Sequence, residues 1–162
     1  MVGKTGCGTG RRGSGAITLG GAKARGVKSV LPVDGVVAPE FKGDAPAKAV
    51  KADAIPQDEM GLDIGPETAE LFAKEILAAK TVLWNGPMGV FEMPAFAKGT
   101  EAVAKALADA TANGALTVVG WGDSAAALAL FKLEDQVSHG STAGGASPPS
   151  FAGKTLPGLQ PT

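Results

Sequence analysis

One stretch, TVVGWGDSAAAL beginning at Thr117, constrains the fold of this chain more than any other. Its first three residues are β-branched and predict a buried strand. Gly120 and Gly122 predict a tight turn after that strand. Asp123 and Ser124 are favoured N-cap residues, and the alanine- and leucine-rich run after them predicts a helix. The stretch is therefore interpreted as a strand that turns through glycines into a helix N-terminus.

A turn of this kind leaves backbone N–H groups at the helix N-terminus, where the helix dipole favours an anion, most often a phosphate. Asp123 would repel an anion unless a cation lay between them. Its position therefore indicates a Mg²⁺ that bridges the carboxylate and a phosphate. The alternative is an ordinary strand-to-helix turn with a capped helix, and the stretch alone leaves both open.

Composition excludes several classes of protein. The chain has 162 residues, which suggests one domain, and a formal net charge of −1. It lacks the basic surface that binds nucleic acid or an anionic membrane. No apolar run approaches the length of a membrane span, and no signal-peptide pattern opens the sequence. The single cysteine, Cys7, excludes an internal disulfide and fits a reducing, cytoplasmic compartment.

Hydrophobic periodicity, with glycine and proline breaks, divides the chain into alternating strands and helices. Residues 1–16 are glycine-rich and poor in apolar side chains, which predicts an unstructured or foreign leader. The predicted elements that follow are a short strand with a Gly-Gly turn over 17–23, one or two strands over 27–37, a loop over 38–58, a helix entry over 61–66, a helix over 67–79, a strand over 81–84, a loop over 85–92, a helix over 94–113, the central strand and its helix to 131, a short strand over 136–138, and a glycine-rich loop over 139–147.

The two longer predicted helices are amphipathic. Their predicted inner stripes are Ala69, Phe72, Ile76 and Ala79 in the first helix and Phe96, Thr100, Val103, Leu107 and either Ala110 or Thr111 in the second. Charged pairs four residues apart, Glu70 with Lys74 and Glu101 with Lys105, are predicted on the outer faces. Gly114 is placed to end the second helix.

Strands that alternate with helices predict an α/β fold with a doubly wound, Rossmann-like parallel sheet. Ligands of such sheets bind outside the carboxyl ends of the strands. The loops over 85–92 and 120–124 both lie at that edge, and the loop over 139–147 joins them if 136–138 is a strand. This convergence favours a nucleotide or phosphate site.

Six segments of the chain resemble phosphoglycerate kinase, specifically the C-terminal nucleotide-binding domain of that family. They are LPVD at 31–34, MGLDIGP at 60–66, TVLWNGPMGVFE at 81–92, GWGDSAAAL at 120–128, SHGSTAGGAS at 138–147 and GKTLPG at 153–158. They occur in the family's order with sensible spacing, and WNGPMGVFE is long and highly specific.

The resemblance implies an incomplete C-terminal domain of a two-domain kinase fold, with residues 17–162 as part of the nucleotide-binding domain. In the family the N-terminal domain binds 3-phosphoglycerate, the C-terminal domain binds Mg-nucleotide, and the protein is usually a monomer. The sequence shows no counterpart of the N-terminal domain. Its ITLGGAK segment at 17–23 resembles the family's GGAK, but it continues almost directly into AKARGVK. It therefore resembles a fragment with an internal deletion.

The implied reaction is reversible phosphoryl transfer between ATP and 3-phosphoglycerate, giving ADP and 1,3-bisphosphoglycerate, with Mg²⁺ as cofactor. Gly120, Gly122 and Lys23 would act at the transferred phosphoryl group, and Asp123 would bind the metal. The other implied nucleotide-binding residues are Gly61 beside the adenine, Asn85, Pro87 and Val90 around the nucleoside, Glu92 on the ribose, and Trp121 and Ser124 in the phosphate turn. The resemblance puts His139, the only histidine, in a hinge-side loop, with a structural hydrogen-bonding role.

Two departures from the family pattern bear on activity. The family has Gly-Gly-Gly-Asp where this chain has a tryptophan at 121, and an indole there is expected to obstruct phosphate or to demand an unfavourable φ. In the glycine-rich loop, Ala143 replaces a glycine, and the Pro148-Pro149 pair replaces Leu-Glu and disrupts the helix that begins there.

Two alternatives remain. A dinucleotide-binding module is suggested by Gly120-x-Gly122-x-x-Ala125, but that fingerprint requires an acidic residue about 20 positions further on, and none follows His139. A non-catalytic remnant that binds nucleotide poorly or not at all is the other alternative, because a whole domain of the family has no counterpart in the sequence.

Overall fold

The computed structural model describes residues 19–120 and 122–140. The predicted leader, Trp121, and the segments from 141 onward lie outside the described residues. None of the helices in the described part is long and apolar enough to cross a membrane.

The described residues form two three-stranded sheets and three α-helices. The strands are β1 Asp34–Ala38, β2 Lys48–Lys51, β3 Met60–Ile64, β4 Thr81–Asn85, β5 Leu116–Gly120 and β6 His139–Gly140, and the helices are α1 Pro66–Ala78, α2 Lys98–Ala112 and α3 Gly122–Phe131. Short 3₁₀ turns precede α2 and follow α3, at Pro94–Phe96 and Glu134–Gln136. Residues 19–24 are also helical.

The predicted parallel sheet is present, with strand order β4-β5-β6. β4 pairs with β5 in register, from Thr81 opposite Leu116 to Asn85 opposite Gly120. Helix α2 connects β4 to β5 and α3 connects β5 to β6, so these elements form two successive βαβ units. The α/β class and the parallel pairing are therefore confirmed.

The second sheet is antiparallel, in the order β2-β1-β3, and the sequence pattern did not predict it. The predicted loop over 38–58 contains β2, and the predicted helix entry over 61–66 mostly contains β3, while residues 27–33 form no strand. β2 is a short edge strand, KAVK, with both lysines exposed. Such a strand carries a weak local signal because its pairing depends on the backbone of a distant neighbour.

Two short predicted strands were wrong. Residues 19–23 are helical and do not form a strand with a Gly-Gly turn. The strand predicted at 136–138 lies instead at His139–Gly140, where it pairs with Val118 and Val119. A reciprocal pair of hydrogen bonds precedes that strand, because Thr117 N–H donates to Ser138 Oγ at 3.1 Å and Ser138 N–H donates to Thr117 Oγ1 at 3.0 Å.

The main core lies between the parallel sheet and the helices. It contains the buried residues Trp84, Phe91, Ala97, Val103, Ala104, Leu107, Val119, Ala127 and Leu128, with Phe72 and Ile76 of α1 packed against them. The predicted inner stripe of α2 is confirmed, since its members from Phe96 to Ala110 are all buried. A smaller cluster of Ala38, Leu62 and Phe96 joins the antiparallel sheet to the start of α2.

The predicted surface features of the helices are also confirmed. Lys74 Nζ lies 2.8 Å from Glu70 Oε1, and Lys105 Nζ lies 2.6 Å from Glu101 Oε1. Gly114 follows α2 with a φ of +88°, which a residue with a Cβ rarely adopts.

Candidate functional site

The carboxyl ends of β4 and β5 lie side by side and carry two of the predicted site residues. Asn85 and Gly120 are register partners at the last position of each strand. A Cβ built on Gly120 would lie 3.2 Å from Asn85 Oδ1, so the asparagine side chain runs close over the backbone of the glycine. Any larger residue at 120 would displace that amide.

Helix α3 begins directly beyond this strand end, as predicted, but Asp123 and Ser124 lie inside its first turn and are not its N-cap residues. Gly122 is its first residue and has open space around its Cβ position. Asp123 is exposed, whereas Ser124 is fully buried. The Ser124 hydroxyl accepts a hydrogen bond from the Gly86 N–H at 2.8 Å, so it faces the loop after β4. What α3 has left to offer an anion is therefore its backbone N–H groups, and the Asp123 carboxylate could act on an anion only through a bound cation.

The loop that follows β4 is held by hydrogen bonds to buried groups. Thr100 Oγ1 accepts the N–H groups of Met88 at 3.1 Å and of Gly89 at 3.2 Å. The Val90 N–H donates to the Leu62 carbonyl at 2.9 Å. These bonds tie the loop to the start of α2 and to β3.

The same loop forms one wall of a cavity of about 430 Å³. Strand β3, the start of β1 and the segment after β2 also line it. Three predicted nucleoside-pocket residues, Gly61, Pro87 and Val90, line this cavity together. Residues far apart in the sequence thus meet around one space of the size that small ligands occupy.

The fourth predicted nucleoside-pocket residue, Asn85, does not line this cavity, and two other predicted residues lie elsewhere on the surface. Glu92 is exposed after the loop and does not line it. Lys23 is exposed in a separate cleft with Leu19 and Lys28, and it makes no ion pair with another described residue. Trp121 lies outside the described residues.

Asp63 at the end of β3 was missed by the sequence reasoning, although it lines the same cavity. It is 7% exposed, and its carboxylate accepts the N–H groups of Gly99 at 2.7 Å and of Ile64 at 2.8 Å. Burial raises the pKa of Asp63 to about 6, against the lowering effect of those two hydrogen bonds. The signal in the sequence is an acidic residue within the otherwise apolar segment MGLDIGP, at a position that hydrophobic periodicity does not explain.

A second buried acid, Asp34, caps helix α1. Its carboxylate accepts the N–H groups of Glu67 at 3.0 Å and of Thr68 at 2.8 Å, as well as the Thr68 hydroxyl. Burial raises the pKa of Asp34, but these hydrogen bonds outweigh it and hold the pKa below its usual value. This contact fixes the orientation of α1 against β1, the strand beside the cavity.

Among the described residues, the donor set fits a Mg²⁺ that is held by a single carboxylate. No group of three or more His, Cys, Asp or Glu side chains within 19–120 and 122–140 forms a metal cage. Asp123 is an exposed single carboxylate at a helix N-terminus. Mg²⁺ commonly binds through one or two carboxylates together with the phosphates of a nucleotide and several waters, so one carboxylate is sufficient.

The fold defines an α/β protein whose parallel strands β4 and β5 end at the edge where sheets of this kind generally bind ligands. The phosphoglycerate kinase family model matches residues 15–154, most of the chain. The phosphoglycerate kinase of Chloroherpeton thalassium is 62% identical over 138 residues, 85% of this chain and 35% of that protein. The enzyme of a Synechococcus strain is 56% identical over 138 residues, 85% of this chain and 34% of that protein.

Solved structures agree with the sequence matches. A phosphoglycerate kinase structure from Coxiella burnetii superposes with a TM-score of 0.90 at 42% identity, over 95% of this chain and 39% of that one. The enzyme of Pyrococcus horikoshii gives a TM-score of 0.73 at 30% identity, over 98% of this chain and 39% of that one. The chain belongs to the phosphoglycerate kinase family. It spans about a third of the length of the curated relatives it matches.

Proposed function

We propose that this chain binds ATP or ADP with Mg²⁺ and constitutes part of the nucleotide half of a phosphoglycerate kinase. The reaction of the whole enzyme is then phosphoryl transfer between ATP and 3-phosphoglycerate, in the cytoplasm. The observation that carries the proposal is that one loop, residues 85–90, begins beside Gly120, the last residue of the strand that leads into α3, and then lines the cavity. A nucleoside in the cavity would thus have its phosphates directed toward the α3 N-terminus.

The positions of the site residues support the roles that we propose for them. Gly61, Pro87 and Val90 line the nucleoside cavity, and Asn85 lies at the phosphate end beside Gly120. Gly122 leaves the first turn of α3 open to a phosphate, and Asp123 would hold Mg²⁺ against it. Glu92 and Lys23 are exposed outside the cavity, and in our proposal they contact the ribose and the phosphates respectively.

Phosphoryl transfer needs positioning and charge stabilisation more than covalent chemistry, so these groups suffice for the nucleotide side of the reaction. The metal, when bound, neutralises charge on the phosphates. 3-Phosphoglycerate requires a basic surface, and the only arginines of the sequence are Arg11, Arg12 and Arg25. We therefore propose that this substrate binds to a separate domain and that the chain by itself does not turn it over.

Calorimetric titration of the chain with ADP, ATP and NAD⁺, each with and without Mg²⁺, tests this proposal. ADP and ATP are expected to bind more tightly with Mg²⁺ than without it, and NAD⁺ is expected to bind weakly or not at all. NAD⁺ binding stronger than ADP would favour the dinucleotide-binding alternative. Absence of binding by all three would identify a remnant without nucleotide affinity.

A pair of variants tests the metal site separately. Asp123→Asn removes the one carboxylate of the α3 N-terminus, and it is expected to abolish the Mg²⁺ enhancement of ADP binding while weaker metal-free binding persists. Asp109→Asn is the matched control, because Asp109 is also an exposed helical aspartate but lies near the C-terminal end of a different helix, α2. An Asp123→Asn chain with undiminished Mg²⁺ enhancement would place the metal elsewhere.

A further inference from the structure

The backbone N–H groups of the loop after β4 donate hydrogen bonds to buried side chains of the protein. The Gly86 N–H donates to Ser124 Oγ at 2.8 Å, and the N–H groups of Met88 and Gly89 both donate to Thr100 Oγ1. Pro87 between them has no N–H to donate. Every amide of residues 86–89 is thus bound by a side-chain hydroxyl, and none remains for a ligand.

The two hydroxyls come from equivalent places in the fold. Thr100 is the third residue of α2, Ser124 is the third residue of α3, and both are 0% exposed. Each helix therefore begins against the loop and holds it through one buried acceptor. Because the β4 end, the loop and the two helix starts converge here, the loop cannot shift without breaking its hydrogen bonds to these two buried hydroxyls.

We propose that Thr100 is a positioning residue for nucleotide binding, with Ser124 as its counterpart on the other side of the loop. The inference rests on the proposed function. Thr100 contributes nothing to the cavity wall itself. Its hydroxyl bonds Met88 and Gly89, and these bonds fix the positions of Pro87 and Val90 on either side of them. Ser124 connects the same loop to the helix that faces the phosphates, so the nucleoside and phosphate portions of the site keep one relative position.

A threonine with a purely structural role would stabilise the fold without affecting the loop. In that case its replacement would lower the melting temperature and leave both the loop amides and the nucleotide affinity of the folded chain unchanged. The distinguishing readouts are the exchange rates of the Met88 and Gly89 amides and the affinity for ADP, both measured well below the melting temperature of each variant.

The test compares Thr100→Val, Thr100→Ser and Thr111→Val in the full chain. Valine keeps the shape and removes the acceptor, and serine restores the acceptor without the methyl group. Thr111 is the matched control, because it lies near the C-terminal end of α2 and its hydroxyl bonds the Leu107 carbonyl and the Thr117 hydroxyl, which are not part of the loop.

Thr100→Val is expected to speed hydrogen exchange of the Met88 and Gly89 amides about tenfold and to raise the Kd for ADP by a similar factor. Thr100→Ser is expected to stay within about threefold of the parent chain in both measurements, and Thr111→Val to change neither. An unchanged Kd in Thr100→Val, or a Kd that rises equally in Thr111→Val, would overturn the inference.

Ser124→Ala supplies a second measurement if Thr100→Val fails to fold. It is expected to accelerate exchange at Gly86 and to weaken ADP binding, and slow exchange at Gly86 in that variant would overturn the inference. A parent chain that does not bind ADP would defeat the proposed function and the inference together. If the parent chain binds ADP and Thr100→Val binds it equally tightly, the inference is wrong but the proposed function stands.

Discussion

At the scale of single residues, the two buried carboxylates beside the cavity respond to pH in opposite ways. Asp34 has a lowered pKa, so the stability it contributes is present above its ordinary pKa of 3.8 and is lost as the pH falls through its lower folded value. Asp63 has a raised pKa, so its contribution is complete below 3.8 and is lost as the pH rises through about 6. Protonation of Asp63 therefore stabilises the fold.

Asp63→Asn tests this directly. The parent chain is expected to gain about 1 kcal/mol of unfolding free energy from this group between pH 7 and pH 5, because the folded state binds the proton more tightly than the unfolded state. The asparagine of the variant cannot titrate, so the variant should show a flatter dependence over that range. The measurement is urea unfolding at several pH values, and equal slopes for both proteins would contradict the prediction.

Trp121 gives the second prediction at this scale, based on the sequence because the residue lies outside the described part. The family has glycine where this chain has an indole, between Gly120 and Gly122. Trp121→Gly is expected to tighten ADP binding about tenfold, since a glycine lets backbone N–H groups approach the phosphate. Isothermal titration with adenosine separates the effects, because adenosine has no phosphate and its affinity should not change. Equal ADP affinities would mean that the indole points away from the site.

At the scale of secondary-structure elements, β3 and α2 are in close contact at Gly99. A Cβ built on Gly99 would lie 2.3 Å from Asp63 Oδ1 and 2.4 Å from Ile64 Cγ1. Gly99 also donates its N–H to the Asp63 carboxylate at 2.7 Å. The absence of a side chain at this position is what lets the start of α2 meet the end of β3.

Gly99→Ala is therefore expected to destabilise the chain by about 1–3 kcal/mol, as overpacked sites do, despite the better helix propensity of alanine. The control is Gly20→Ala in the helical segment 19–24, where a Cβ would meet nothing within 4 Å. Denaturant midpoints at constant m-value compare the two variants. A Gly99→Ala chain as stable as the parent would show that Asp63 moves aside at little cost.

At the scale of the whole molecule, the helices cover one face of the parallel sheet. Trp84 and Val119 on the covered face are buried under α2 and α3. The opposite face carries Leu83 and Leu116, which are 46% and 45% exposed, and Val118 in register with Leu83. The outer edge of β4 has no strand partner among the described residues. Half-exposed leucines on this face, beside a strand edge without a partner in the described part of the chain, favour association.

The chain is accordingly expected to be marginally stable, to bind dyes specific for exposed apolar surface, and to associate as its concentration rises. Leu83→Thr should reduce both dye binding and association, because threonine keeps strand propensity and removes apolar area. Leu77→Thr on α1 is a control, since Leu77 is 45% exposed and lies on a helix outside this sheet face. Light scattering across a concentration series measures the outcome, and a monomeric parent with a sharp, high-temperature melt would contradict the prediction.

Much of the fold could be predicted from the sequence because its signals are local. The stripe of α2, its pair Glu101–Lys105 and the glycine that ends it all depend on residues within a few turns. The prediction failed where pairing with a distant segment decides the structure. β2 is a strand only because β1 lies beside it, and β6 begins where Ser138 bonds Thr117.

The sequence by itself determined the family, the α/β class and the placement of glycine-rich loops at strand ends, because each depends on contiguous residues. Only the tertiary structure decided which of the predicted site residues meet. It brought Gly61, Pro87 and Val90 around one cavity, and it turned the Ser124 hydroxyl inward to the Gly86 amide. Those outcomes depend on how α2 and α3 pack against the β4 loop. A buried hydroxyl accepts a hydrogen bond from the backbone N–H that this packing brings within reach, and the local sequence does not specify which N–H that is.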